Sequence, residues 1–173
     1  MDGEQRRNRI LELLHTSKEP ISGTTFAKTL QVSRQVIVQD IALLRAINKN
    51  ILSTNKGYIV YGQNDVEMFR KTVAVKHTDN QIQEELYAIV DAGGKVLDVV
   101  IEHEIYGQIA VDLVICSRKD VDEFVENILK CKTKPLKLLT DDIHYHTIEA
   151  KEESVLKQIT ESLREKGYLI LTK

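Results

Sequence analysis

The spacing of apolar residues in the first third of the chain predicts three short helices followed by a β-hairpin. Each predicted helix has one apolar face, whose members lie three or four residues apart. These faces consist of Ile10, Leu13 and Leu14 in the first helix, Phe26, Ala27 and Leu30 in the second, and Ile37, Ile41 and Leu44 in the third. Ser22 and Ser33 are suitable N-caps for the second and third helices. Two short apolar strands, 51–54 and 58–61, are separated by the turn sequence Asn-Lys-Gly, which favours a hairpin.

Strands and helices alternate along the rest of the chain, after a polar stretch at 62–65 that we interpret as a domain boundary. Predicted strands cover residues 72–77, 96–102, 109–116, 144–150 and 168–172, and predicted helices cover 80–92, 118–130 and 152–166. This succession predicts an α+β protein. We expect a winged helix-turn-helix over residues 1–62, and an α/β-sandwich-like domain with helices packed on a mixed sheet over residues 65–173.

Charge and composition narrow the class of protein. Residues 1–64 carry nine Lys/Arg against five Asp/Glu, whereas the remainder carries 15 against 21, so only the first part is expected to approach a polyanion. The isolated Cys116 and Cys131 predict no disulfide framework. The chain has no apolar run of the ~18 residues that a membrane helix needs, and its start lacks the apolar core of a signal peptide. We therefore expect a cytoplasmic protein without a membrane segment.

The exposed side of the third helix carries groups that suit the edges of DNA bases. Arginine matches guanine, glutamine matches adenine, and an exposed valine can contact a thymine methyl group. We predict DNA contacts by Ser33, Arg34, Gln35, Val38, Gln39, Arg45 and Lys56. Phosphate contacts are expected from five basic residues, Arg6, Arg7, Lys28, Arg45 and Lys56. The alternative is a three-helix packing module in which these polar residues are merely solvated.

Four of the five histidines lie in the second part of the chain. His144 and His146 are two residues apart on a predicted strand and therefore project to the same face. His77 ends a strand expected in the same sheet, and Glu85, in the next helix, can fold back over that strand end. Three imidazoles and one carboxylate suit a divalent ion such as Zn²⁺ or Ni²⁺. The simpler alternative is a network of structural or surface histidines.

Several of these segments resemble one known family. Residues 20–23 (Pro-Ile-Ser-Gly) and 32–45 resemble the N-terminal domain of the niacin-responsive transcriptional repressors, the NiaR/YrxA family. The segments around His77, 103–107 and 144–148 resemble the signature segments of the three-histidine (3H) domain of that family. The resemblance covers nearly the whole chain. It implies a niacin-responsive repressor of NAD biosynthesis or niacin uptake genes, and it implies His77, Glu85, His144 and His146 as the ligands of one metal ion.

These observations lead us to expect a repressor that binds double-stranded operator DNA as a homodimer, with nicotinic acid as its effector. A dimer is expected because palindromic operators match two-fold symmetric proteins. The pyridine nitrogen of nicotinate is a suitable donor to complete the shell of the metal. His103, Tyr106 and Gly107 are candidate effector contacts, although His103 could equally be a structural histidine of its loop.

Three other functions stay open from the sequence alone. The first is a metal-ion-responsive regulator in which the ion itself is the signal. The second is a metal-dependent hydrolase, since a His/Glu site with an open position can also activate water. The third is a structural adaptor whose histidines hold no metal.

Overall fold

The computed structural model describes residues 1–47, 50–62 and 67–170. The chain divides into two compact units, residues 1–65 and 66–173, and each is described by itself. Most of the predicted boundary at 62–65, and residues 171–172 of the last predicted strand, lie outside the described residues. No helix in the described ranges has both the length and the apolar character needed to cross a bilayer.

The first unit contains the three predicted helices and the predicted hairpin. Its elements are α1 (Gly3–Thr16), α2 (Gly23–Leu30), α3 (Arg34–Ile47), β1 (Ile51–Thr54) and β2 (Gly57–Val60). The core forms from the predicted apolar faces and the start of the hairpin, with Ile10, Leu14, Phe26, Leu30, Ile37, Ile41, Leu44 and Ile51 all buried. Both predicted caps are present. Ser22 Oγ accepts the Thr25 N–H at 3.0 Å, and Ser33 Oγ accepts the Val36 N–H at 3.3 Å.

The hairpin is joined to the segment before α2 by backbone hydrogen bonds. The N–H groups of Ile21 and Tyr58 each donate to the carbonyl oxygen of the other residue, at 2.9 Å in both cases. Gly57 permits this approach. Its φ is +136°, and a Cβ at this position would lie 2.4 Å from the Ile21 carbonyl oxygen. The wing is therefore positioned by a glycine that no other residue can replace without displacement of the backbone.

The second unit packs three helices and a four-stranded sheet around one core. Its elements are β3 (Phe69–Lys76), α4 (Ile82–Asp91), β4 (Lys95–His103), β5 (Gly107–Ile115), α5 (Arg118–Lys130), β6 (Ile143–Ala150) and α6 (Glu153–Glu165). Two short 3₁₀ turns, Asp79–Gln81 and Leu136–Thr140, precede α4 and β6. The core joins apolar residues of α4, α5 and α6 to Val73, Val75, Val96, Leu113, Ile115 and Ile148 of the strands. The predicted α+β class is confirmed.

The topology of the sheet corrects two sequence-based expectations. The strand order is β3-β6-β4-β5, and every described pairing is antiparallel, so the sheet is not mixed as predicted. The reason is that β6 lies between β3 and β4, which run in the same direction, and pairs antiparallel with both. The last predicted strand is reduced, within the described residues, to one bridge between Leu169 and Val75. The turn Leu136–Thr140 was not predicted.

Candidate functional site

The sheet and α4 bring His77, Glu85, His144 and His146 into one buried cluster. Val75 pairs with His144 and Val73 with His146, so β6 presents both imidazoles on one face beside the end of β3. Glu85 lies in the first turns of α4 and reaches the same point. Its Oε2 is 2.8 Å from His77 Nε2 and 3.9 Å from His144 Nε2, and its Oε1 is 3.5 Å from His146 Nε2. Each of the four residues is at most 5% exposed.

The other ring nitrogen of each histidine is close to a backbone carbonyl. His77 Nδ1 is 2.9 Å from the carbonyl oxygen of Thr78, His144 Nδ1 is 2.8 Å from that of Asp142, and His146 Nδ1 is 2.6 Å from that of Asp98. A carbonyl can only accept, so each Nδ1 must carry the proton. The Nε2 of a neutral ring is then a lone pair, and three such lone pairs face the same carboxylate. This is the arrangement by which backbone carbonyls orient histidines that bind a metal.

With neutral imidazole rings, the three histidines offer the Glu85 carboxylate neither a hydrogen-bond donor nor a positive charge. Lone pairs cannot donate to a carboxylate, and Glu85 Oε1 is a buried oxygen with no hydrogen-bond partner among the described residues. Either protons or a cation must lie between the imidazoles and Glu85. Three nitrogens and a carboxylate are ligands that Zn²⁺ and Ni²⁺ accept, so the residues fit such an ion. Atoms of His77, Glu85 and His144 that can serve as ligands lie within 4.8 Å of one another.

The electrostatics of the cluster favour an ionised Glu85. Burial alone would raise the pKa of Glu85, but the neighbouring His146, His144 and His77 hold this pKa well below its usual range, because an imidazole that carries a proton toward the carboxylate stabilises its charge. Burial lowers the pKa of His144. Burial also acts to lower the pKa of His146, yet the negative charge of Glu85, whose Oε1 is 3.5 Å from His146 Nε2, outweighs burial and raises it. The site is therefore arranged to hold positive charge against Glu85.

The three candidate effector contacts lie outside this cluster, around the turn between β4 and β5: His103 ends β4, Tyr106 lies in the turn, and Gly107 begins β5. His103 Nδ1 accepts the backbone N–H groups of Ile105 and Tyr106, at 3.2 and 3.4 Å, so its described hydrogen bonds stay within its own turn. Tyr106 is 75% exposed, and its ring lies 5.0 Å from that of His103. His103 and Gly107 line an open pocket of about 370 Å³. The antiparallel register places this turn at the same end of the sheet as His144.

Two residues beside the cluster were not found from the sequence. The ring of Tyr168 packs edge-on against that of His77 at 5.5 Å, and its hydroxyl donates to Glu84 Oε2 at 2.7 Å. Lys137 is buried and donates to the carbonyl oxygen of His77 at 3.0 Å. No local pattern marks either residue, because tyrosine and lysine are ordinary surface residues in such segments and their burial depends on distant elements.

On the first unit, α3 presents the predicted base-reading residues to solvent. Arg34, Gln35 and Gln39 are exposed, and Val38 is 41% exposed although it is apolar. Ser33 is exposed at the start of this helix, where its hydroxyl serves as the cap. In a helix-turn-helix motif the second helix, here α3, enters the major groove. Exposed polar side chains around its N-terminus have the chemistry required for contacts with base edges.

Several basic residues that the sequence predicts as contacts of DNA phosphates have partners within the protein. Arg45 Nε donates to the Ile51 carbonyl oxygen at 3.0 Å and so ties α3 to β1. Asp40 is buried in α3 and binds Arg6 at 2.5 Å and Arg7 at 3.4 Å. These two arginines therefore join α1 to α3 in this structure. Lys56 lies in the turn of the hairpin between β1 and β2.

Comparison with known proteins identifies both halves of the chain. Residues 6–59 match the model of an HTH domain, and residues 70–172 match that of the 3H domain. The chain is 42% identical to the probable transcription repressor NiaR of Thermotoga maritima over 167 residues, which cover 96% of this chain and 94% of that protein. It is 39% identical to the transcription repressor NadR of Bacillus subtilis over 170 residues, which cover 97% and 94%.

These relatives are named as transcription repressors, which are not enzymes, and this argues against the hydrolase alternative. Two domain matches and two relatives of nearly full length confirm the resemblance seen in the sequence segments. The chain belongs to the NiaR/NadR-type transcription repressors, with an N-terminal helix-turn-helix domain and a C-terminal 3H domain.

Proposed function

We propose that this protein is a niacin-responsive transcription repressor of NAD biosynthesis or niacin uptake genes. In this proposal it acts in the cytoplasm as a homodimer on double-stranded operator DNA. Residues 1–62 bind the DNA, and residues 65–173 bind one divalent transition metal, Zn²⁺ or Ni²⁺, and nicotinic acid. The observation that carries the sensing role is the buried cluster of His77, Glu85, His144 and His146, whose imidazole lone pairs converge on a carboxylate.

The DNA-binding role is supported by the exposed face of α3. Arg34, Gln35, Val38 and Gln39 have the groups needed at base edges, with Ser33 at the start of the helix. Lys56, in the turn of the wing, is suited to a phosphate. Arg45 donates to the Ile51 carbonyl oxygen, so we assign it to the positioning of α3 as well as to the proposed phosphate contact.

The effector role is supported by the chemistry of the cluster and of the neighbouring turn. His77, Glu85, His144 and His146 would hold the metal, which would supply Lewis acidity toward the pyridine nitrogen of nicotinate. His103, Tyr106 and Gly107 are the proposed contacts of the effector, because His103 and Gly107 line an open pocket at the cluster end of the sheet. A metal that binds only the folded domain also stabilises the folded state against unfolding.

The test is calorimetry of nicotinate binding to the full chain, once loaded with Zn²⁺ or Ni²⁺ and once after treatment with a chelator. We expect binding only, or much more tightly, in the metal-loaded protein. Equal affinity in both states would refute a metal-assisted effector site. A parallel measurement of operator affinity with and without nicotinate tests the repressor role, for which nicotinate must change the DNA affinity.

A second candidate function is regulation by the metal ion itself. It is favoured by the burial of the cluster, because residues that are at most 5% exposed suit an ion better than a ring-sized ligand. Separate titrations of metal and of nicotinate against operator affinity distinguish the two functions. In a metalloregulator the ion alone changes DNA affinity, and nicotinate adds nothing.

A further inference from the structure

Lys137 is a buried lysine whose three N–H groups all have acceptors. It lies in the turn Leu136–Thr140 and is only 3% exposed. Its Nζ contacts the carbonyl oxygen of His77 at 3.0 Å, Asp79 Oδ1 at 2.7 Å, and Asp142 Oδ1. Burial of an ammonium group is unfavourable unless acceptors replace the lost water, so these three contacts fix its position. All three acceptors lie in two segments that flank the histidine cluster. We call residues 77–79 the first turn and residues 141–142 the second turn.

The first of these turns orients His77. Lys137 binds the carbonyl of His77 itself and the side chain of Asp79, two residues later. Between them lies Thr78, whose carbonyl oxygen accepts the Nδ1 proton of the His77 ring at 2.9 Å. The direction in which His77 Nε2 points therefore depends on the conformation of the segment that Lys137 holds.

The second turn orients His144 and has an unfavourable backbone conformation. Asp141 and Asp142 have φ values of +50° and +67°, a region that residues other than glycine adopt at a cost. Lys137 holds this turn through its ammonium on Asp142 Oδ1 and through its own carbonyl oxygen, which accepts the Asp142 N–H at 3.0 Å. The Asp142 carbonyl oxygen in turn accepts the Nδ1 proton of His144 at 2.8 Å.

We propose that Lys137 is a positioning residue of the metal site, where its ammonium fixes both turns so that His77 and His144 present Nε2 to Glu85. The inference rests on the metal-binding role proposed above. His146 provides an internal comparison, since its Nδ1 is held by the carbonyl of Asp98 on β4 and not by either turn. Loss of the ammonium should therefore disturb two of the three imidazoles and leave the third in place.

The first test is the Zn²⁺ affinity of the full chain with Lys137→Met, measured by competition with a chromogenic chelator. Methionine keeps an apolar chain of similar length and removes the charge. We expect a loss of about 10–100-fold, the range found when partners that orient metal ligands are removed. Lys71→Met is the control, because the described hydrogen bond of the Lys71 ammonium goes to Thr160 Oγ1 and to neither turn. Affinity within twofold of the parent protein would overturn the proposal.

The second test uses the metal-free full chain and does not depend on metal binding. Nuclear magnetic resonance of the imidazole Nδ1 protons should show Lys137→Met losing the protected signals of His77 and His144 while His146 keeps its own. If this variant does not fold, two other variants serve. Asp142→Asn should alter the Nδ1 proton signal of His144 alone, and Asp79→Asn should alter that of His77 alone. Unchanged signals at both histidines would overturn the proposal. Absence of Zn²⁺ binding in the parent protein would instead refute the proposed metal role, and the proton signals would still decide the role of Lys137.

Discussion

At the scale of single residues, the position of one proton on each ring determines the chemistry of the histidine cluster. A carbonyl next to each Nδ1 keeps that nitrogen protonated and leaves Nε2 as a lone pair toward Glu85. Among the described residues, the Glu85 carboxylate is the negative group that all three Nε2 atoms face. Its charge, more than its hydrogen-bonding capacity, should determine whether a cation binds there.

The corresponding prediction is that Glu85→Gln weakens Zn²⁺ binding by more than about 100-fold. Mutation of residues that only orient metal ligands lowers metal affinity by about 10–100-fold, and loss of a direct ligand should lower it further. Glutamine keeps the size of the side chain and removes the charge. Chelator competition measures the affinity. Glu84→Gln is the matched control, since the neighbouring carboxylate binds Lys166 and Tyr168 instead. Similar affinities for both variants would contradict the assignment of Glu85.

A second residue-scale prediction concerns base recognition by α3. Arg34→Ala or Gln35→Ala should reduce affinity for the preferred operator by about 1–3 kcal/mol and relax the preference at one base position, because a bidentate contact is lost. Fluorescence anisotropy with single-base operator variants measures both effects. Lys28→Ala, which removes an exposed charge of α2, should weaken binding to all sequences equally. Uniform weakening by the α3 variants would argue against base contacts.

Tyr168 gives a prediction about pH. Burial, together with its hydrogen bond to Glu84, raises the pKa of the Tyr168 hydroxyl to about 12. The native state therefore favours the protonated phenol, so the stability that it contributes is complete below pH 10 and is lost as the pH rises toward 12. The difference in unfolding free energy between the parent protein and Tyr168→Phe should shrink over this range. A difference that stays constant from pH 9 to pH 12, as followed by urea denaturation, would contradict the raised pKa.

At the scale of elements, the packing of the first unit depends on two contacts between segments that are distant in sequence. Asp40 of α3 binds Arg6 and Arg7 of α1 from a buried position. Tyr58 of β2 pairs with Ile21, before α2. Both contacts fix the surroundings of α3, so the base-reading face and the wing keep a defined relation within this unit.

The prediction for this scale is that Gly57→Ala destabilises the first unit by about 2 kcal/mol or more. An alanine Cβ would meet the Ile21 carbonyl, and a φ of +136° is itself costly for alanine. Gly62→Ala separates the two causes, because φ is also positive there (+87°) but nothing lies within 4 Å of the added Cβ. Urea denaturation should show the larger loss for Gly57→Ala, together with weaker DNA binding. Equal losses would mean that the contact with Ile21 is unimportant.

At the scale of the whole molecule, the chain forms two compact units with separate cores. A ligand that binds one folded unit stabilises that unit by mass action. We therefore expect saturating Zn²⁺ to stabilise residues 66–173 by about 2.7 kcal/mol when the free ion is at 100 times its Kd. Hydrogen exchange of the two cores measures the effect separately. Protection that increases equally in both units would contradict a site confined to the second unit, and His146→Ala should abolish the effect.

Much of this organisation could be predicted because it depends on local patterns. The apolar spacing of Ile37, Ile41 and Leu44 predicted a buried face, and these three residues are buried. The alternation of His144 and His146 on a strand predicted a common face, and the register of β6 with β3 agrees. Such patterns follow from the helical and strand periods, which are properties of the backbone alone.

Other features could not be predicted because they depend on which strands become neighbours. Insertion of β6 between β3 and β4 made the sheet antiparallel and placed the end of β3 beside the histidines of β6. The engagement of Arg6 and Arg7 by Asp40, 34 and 33 residues away, likewise leaves no local signal. The sequence suggested these arginines as phosphate contacts, and only the fold shows that they also share a buried partner.

The sequence by itself determined most of the elements, the class of fold, the exposed face of α3 and the set of histidines available for a metal. These follow from residue types at fixed short intervals, which limit backbone conformation and the direction of side chains. Only the tertiary structure decided that one buried oxygen of Glu85 has no hydrogen-bond partner in the described part of the chain, that backbone carbonyls orient all three rings, and that Lys137 is enclosed between two turns. The physical reason is that polar side chains lose their water and meet one another only when segments far apart in the chain pack together.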